Sequence, residues 1–98
     1  MKILDNKAIT FKGKPVIAGE DNSPLDTFAL IQSVLENSAY QNSSEIIKAS
    51  LILGKLKIED GKLSIEDADY EFIKRFANVY QPLVSKGLLF AEFYQQLN

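Results

Sequence analysis

The chain of 98 residues contains no histidine and no cysteine. Histidine is the side chain whose charge changes near neutral pH, cysteine is the usual thiol nucleophile, and both are the standard nitrogen and sulfur ligands of zinc. Their absence removes the commonest general base, thiol chemistry, the ordinary zinc site and disulfide stapling, while leaving the redox compartment open. A glycine-rich phosphate loop is missing as well. The five glycines are scattered, and Gly13-Lys14-Pro15 lacks both the upstream glycine and the hydroxyl residue such a loop needs. No run approaches the ~18 apolar residues required to span a bilayer. Met1-Lys2-Ile3-Leu4-Asp5-Asn6-Lys7 has no long apolar stretch after its positive charge, so no signal peptide is expected and a cytoplasmic location is the default. A basic surplus is also lacking: eleven Lys and Arg face thirteen Asp and Glu, for a formal net charge of −2. Nucleic-acid binders usually carry a basic excess or a dense basic stripe. No enzymatic activity, cofactor or metal is expected from this inventory.

What is present is ordinary globular material, with 46% hydrophobic and 24% charged residues. The length fits a single domain spanning 1–98, whose stability is on the order of 5–10 kcal/mol, so a partner or second subunit could matter. Residues 1–20 read as a β-hairpin region. Lys2–Leu4 and Ala8–Phe11 are short β-prone runs, Asp5-Asn6-Lys7 and Lys12-Gly13-Lys14-Pro15 are turn signals, and Val16-Ile17 follows. A hairpin alone is marginal in water, so this one should pack on helices.

Residues 23–98 read as helical. After the polar stretch Gly19–Ser23, Ser23 is expected to cap a first helix with Pro24 at its first position and Asp26 at its third. Leu25, Phe28, Ile31, Val34 and Leu35 give it an apolar stripe that fades near Asn37-Ser38. Asn42-Ser43-Ser44-Glu45 starts a second helix with Glu45 set for a capping box; its match to a glycosylation sequon is read as a helix start. Ile46, Ala49, Leu53 and Leu56 form one side, Ile47, Leu51 and Ile52 widen it, and Gly54 marks the end. Leu56–Ile58 and Lys62-Leu63 flank Glu59-Asp60-Gly61 as an extended pair or a loop. Ser64 is expected to cap a third helix with core residues Ile65, Phe72, Ile73, Phe76 and Tyr80. Pro82 opens a last helix reaching Leu97, apolar around most of its circumference, with Gly87 and Ala91 allowing a close neighbour. The predicted fold is α+β and mainly α: a small N-terminal β-hairpin packed on a bundle of about four short helices.

Several segments suggest chemistry. Asp60–Asp67 resembles the second half of a calcium loop, but alignment on Gly61 puts Leu56 and Ile58 where oxygen ligands belong, so a helix start is the better reading. The acidic cluster Glu59, Asp60, Glu66, Asp67, Asp69 and Glu71 reads as a solvated helix start, or an acidic docking patch, before it reads as paired catalytic carboxylates. Lys7, Lys12 and Lys14, with Phe11 as a stacking ring, are candidates for nucleic-acid contact, although lysines also blunt edge strands. Phe90, Phe93 and Tyr94 on the last helix are candidates for a partner interface, including a homodimer.

The order of Phe11-Lys12-Gly13-Lys14-Pro15-Val16, Leu63-Ser64-Ile65-Glu66-Asp67 and Pro82-Leu83-Val84 through Gly87 resembles small phage- and prophage-encoded proteins. The resemblance covers most of the chain through short structural motifs and brings no catalytic residues. It implies a non-enzymatic accessory or assembly protein. The expected function is therefore a protein–protein interaction module, with nucleic-acid contact by the basic hairpin as the alternative.

Overall fold

A computed structural model describes residues 1–18 and 23–98. The lead-in Gly19–Asn22 lies outside the described residues. The architecture is α+β and mainly helical, as predicted. Strand β1 (Lys2–Asp5) is followed by two short pairs, β2 (Thr10–Phe11) with β3 (Lys14–Pro15), and β4 (Ile17–Ala18) with β5 (Ser23–Pro24). Helices α1 (Thr27–Asn37) and α2 (Ser43–Lys55) come next, then β6 (Ile58–Glu59), β7 (Lys62–Ile65) and α3 (Asp67–Ala77). The chain finishes with α4 (Gln81–Val84), a 3₁₀ turn (Gly87–Phe90) and α5 (Ala91–Leu97).

Two hairpins close on backbone conformations that their turn residues tolerate. Asp60 and Gly61 both have positive φ, at 52° and 72°, and so do Lys12 and Gly13, at 55° and 77°. That pairing of dihedrals gives a two-residue turn the twist its flanking strands need. The β6–β7 hairpin also receives β1 on its other edge, in the order β1-β7-β6, with Lys2 opposite Ile65 and Leu4 opposite Leu63. Leu4, Leu63 and Ile65 point inward from this sheet onto the helices.

Helix starts differ from expectation in two places. The first helix begins at Thr27, because Ser23-Pro24 is paired with Ile17-Ala18 and the cap falls to Asp26, whose carboxylate accepts the Ala29 N–H at 2.8 Å. Asn6 locks the same corner: its Oδ1 accepts the Phe28 N–H at 2.8 Å and its Nδ2 donates to Asp26 at 3.3 Å. The third helix begins at Asp67, because Ser64 is consumed as a strand residue opposite Ile3. The second starts as predicted, with Asn42 Oδ1 accepting from the Glu45 N–H at 3.0 Å, while Glu45 reaches back one residue further, to the Gln41 N–H at 2.9 Å.

The last predicted helix is broken into three pieces. Gly87 has φ of 61°, a left-handed conformation that ends one helical run before the next begins. Phe90, Phe93 and Leu97 thereby turn inward beside Ile9, Leu30, Ile31, Val34 and Ile73 in one core. Polar clasps hold α5 to the N-terminal strands. Glu92 accepts both the N–H and the hydroxyl of Thr10, and Gln96 donates to the Asp5 carbonyl at 2.7 Å while accepting from Thr27 Oγ1 at 2.8 Å.

Candidate functional site

The least expected surface in the molecule is the outer side of α2. Thirteen residues make this helix, and its buried residues are Ala49 and Ile52. At 100° per residue, Ser43, Ile47, Ser50 and Gly54 share a sector about 60° wide on the side away from the core, with Ile46 on one flank and Leu51 on the other. Ile46, Ile47 and Leu51 are 55%, 59% and 63% exposed. The charged residues of the helix, Glu45, Lys48 and Lys55, all lie toward α3 instead. A surface helix ordinarily shows the reverse distribution, charge outward and aliphatics inward.

Those inward charges bridge a groove. Helix α1 packs against both α2 and α3, while α2 and α3 barely approach each other. Between them lies an open groove of about 750 Å³ walled by Ser44, Glu45 and Lys48 on one side and Ala68, Phe72 and Arg75 on the other. Arg75 meets Glu45 at 3.0 Å, and Lys55 and Lys48 converge on the Asp69 carboxylate at 2.7 and 3.8 Å. The hydrogen bond to Asp69 raises the Lys55 pKa, which holds that ammonium in its charged form. Phe72 forms the floor, with Lys48 Nζ and Arg75 Cζ 5.9 and 5.5 Å from its ring centre, and Phe76 packs behind it, with ring centres 4.8 Å apart. Each of these cations is ion-paired, and the groove's lining is mixed, with Ala68 and Phe72 as its apolar part.

The partner-interface candidates on the last helix are corrected by the structure. Phe93 is fully buried, Phe90 is buried, and Tyr94 is half-buried with its hydroxyl donating to the Ala77 carbonyl at 2.7 Å. These rings are core and cannot form an exposed patch. Gly87 is the reason: the break it introduces rolls the aromatic side of α5 inward.

Among the nucleic-acid candidates, Lys7, Lys12 and Lys14 are exposed. Phe11 is half-buried, with Lys12 Nζ 5.4 Å from its ring centre, so the ring already carries a cation over it. The calcium-like segment is divided between the β6–β7 turn, strand β7 and the start of α3. Of the acidic cluster, Asp69 is buried against lysines, while Asp67 pairs with the chain's amino group at 2.9 Å. Among the described residues no group of three or more carboxylates gathers as a metal site, and no helix is long and apolar enough to cross a membrane.

Sequence reasoning placed Ile47 and Leu51 on a widened inner face. The missed signal was excess: apolar residues at 46, 47, 49, 51, 52, 53 and 56 cover more of the circumference than one core-facing stripe can use. Comparison with known proteins adds no relative: no family model, no curated protein and no solved structure matches the chain.

Proposed function

We propose that the protein is a non-enzymatic protein–protein interaction module, acting as an accessory or assembly factor, and that it docks through the outward arc of α2. The observation that carries this reading is the exposure of Ile46, Ile47 and Leu51 on a helix whose outer sector has no charged residue. Three large aliphatics exposed on one side of a helix contribute nothing to the monomer's core, and apolar surface left uncovered in this way can mark a contact. Charge depletion at the centre with charge at the margin is also the usual anatomy of an interface. The resemblance of the Phe11–Val16, Leu63–Asp67 and Pro82–Gly87 segments to small phage and prophage proteins supports placing the module in phage assembly or host interaction.

The test is affinity capture from a cell extract of the native host with the wild-type chain and with Leu51→Glu. Loss of specifically captured protein with the variant, at unchanged circular dichroism, supports the reading; undiminished capture refutes it. A second reading has one observation in its favour, the exposure of Lys7, Lys12 and Lys14 near the β2–β3 turn. It requires binding to single-stranded DNA or RNA that weakens with salt and is lost when those three lysines are neutralised. Flat anisotropy titrations at low salt would dispose of it.

A further inference from the structure

We infer that the occupant of the α2 arc is α2 of a second copy of this chain, packed antiparallel about a twofold axis that passes between Ile47 and Ser50. The inference rests on the reading of α2 as the docking face and names its partner.

Charge argues first. In a twofold contact each patch meets itself, so any charge near its centre is brought close to its own copy. The arc from Ser43 to Gly54 carries none, and Glu45, Lys48 and Lys55 are drawn away into ion pairs with residues of α3. That arrangement of charge on α2 leaves self-contact without repulsion.

Shape argues second. With the axis between Ile47 and Ser50, each Ile47 faces Ser50 of the other copy, and each Ser43 faces Gly54. A large side chain thus meets a small one at the centre, and two small ones meet at each end. The small residues let the helix backbones approach, as they do wherever helices cross closely. Ile46 of both copies then covers one flank of the seam and Leu51 of both copies covers the other. Nothing lies within 4 Å of a side-chain carbon built at Gly54, so that end of the seam is open to a neighbour. A partner with charged or uniformly large residues would fit this seam worse than the seam fits itself.

Area sets the strength. A 13-residue helix is about 20 Å long and about 10 Å across. Half of its surface is on the order of 400 Å² per copy, about half of the ~800 Å² that a stable interface buries on each side. The dimer is therefore a dissociable one, with micromolar affinity or weaker.

The experiment uses sedimentation equilibrium on the full chain from about 10 µM to about 1 mM, a range that brackets such an affinity. It adds two variants of exposed residues, Ser50→Arg and Ser50→Cys, each checked for native circular dichroism. Because the natural chain has no cysteine, Ser50→Cys reports one geometry; Ser85→Cys, outside the seam, is its control. The proposal expects a monomer–dimer equilibrium in the wild type, at least about tenfold weaker in Ser50→Arg. It also expects disulfide dimers on mild oxidation of Ser50→Cys but not of Ser85→Cys. A wild type that stays monomeric throughout overturns it, as does a dimer indifferent to Ser50→Arg. If the monomer nonetheless loses capture of another protein on Leu51→Glu, self-packing alone falls and the docking face stands. If capture and association both ignore that change, the docking face falls with it.

Discussion

Helices α2 and α3 lean on the same neighbour, α1, yet arrange their side chains in opposite ways. α3 buries Tyr70, Phe72, Ile73, Phe76 and Ala77 and shows Asp67, Glu71 and Arg75 to water. Its first turn carries Asp67 and Asp69 and its last turn Lys74 and Arg75, as the helix dipole favours. α2 buries two residues, aims its charges at α3 and shows isoleucine and leucine to water. The demands of folding account for α3 completely. They leave the outer half of α2 unexplained, and that remainder is what a partner must account for.

The comparison breaks most readily at its aliphatics. Ile73→Ala in α3 removes a fully buried side chain and is expected to cost about 2–5 kcal/mol in urea unfolding at low protein concentration. Ile47→Ala, the same chemical change in α2, is expected to stay within about 0.5 kcal/mol. Similar costs for both would mean that α2 is packed as α3 is.

Alkaline pH sharpens the contrast next. Tyr40, Tyr70 and Tyr94 donate their hydroxyls to the carbonyls of Leu35, Leu97 and Ala77, and burial raises each phenol above its ordinary 10.0. The unfolded chain therefore loses its phenolic protons first as pH rises. The stability these tyrosines contribute is complete below pH 10.0 and is lost as pH climbs through the raised folded values. Urea midpoints should be level up to about pH 9 and fall beyond about pH 10, and Tyr70→Phe should blunt the fall. α2 carries no tyrosine, so a fall that begins in its amides, followed by hydrogen exchange, would contradict this account.

The smallest effect is expected at the helix starts. α2, with little burial to hold it, has a side-chain cap from Asn42, whereas Glu66 before α3 makes no such bond. Asn42→Ala should cost about 1 kcal/mol and Glu66→Ala less than about 0.5 kcal/mol, read from thermal melts. Equal losses would remove the distinction between a capped helix and a packed one.

Local signals explain which parts of this fold were legible. Asn42 and Glu45 announced α2, and Asp60-Gly61 announced a turn, because each acts on backbone groups within a few residues. The pairing of β1 with β7 joins residues such as Leu4 and Leu63, and no local pattern encodes a partner so distant in the chain. Ser23 and Ser64 both carry cap chemistry, and tertiary pairing claimed each for a strand. Gly87 was legible as a glycine that matters, but not as a positive-φ break, so the rings of α5 looked available for contact when they were core. The α2 surface was written in the surplus of its aliphatics, which declares that one face must be uncovered without declaring which.

The clasps from Glu92 to Thr10 and from Gln96 to Asp5 and Thr27 have a consequence for biosynthesis. Ile9 and Leu30 reach their final packing only beside Phe93 and Leu97, residues translated more than sixty positions later. A ribosome adding about 5–20 residues per second holds that early third of the polypeptide waiting for several seconds. Ile9 and Leu30, buried in the finished fold, stay uncovered during that interval, so the nascent chain shows apolar surface that the finished one hides.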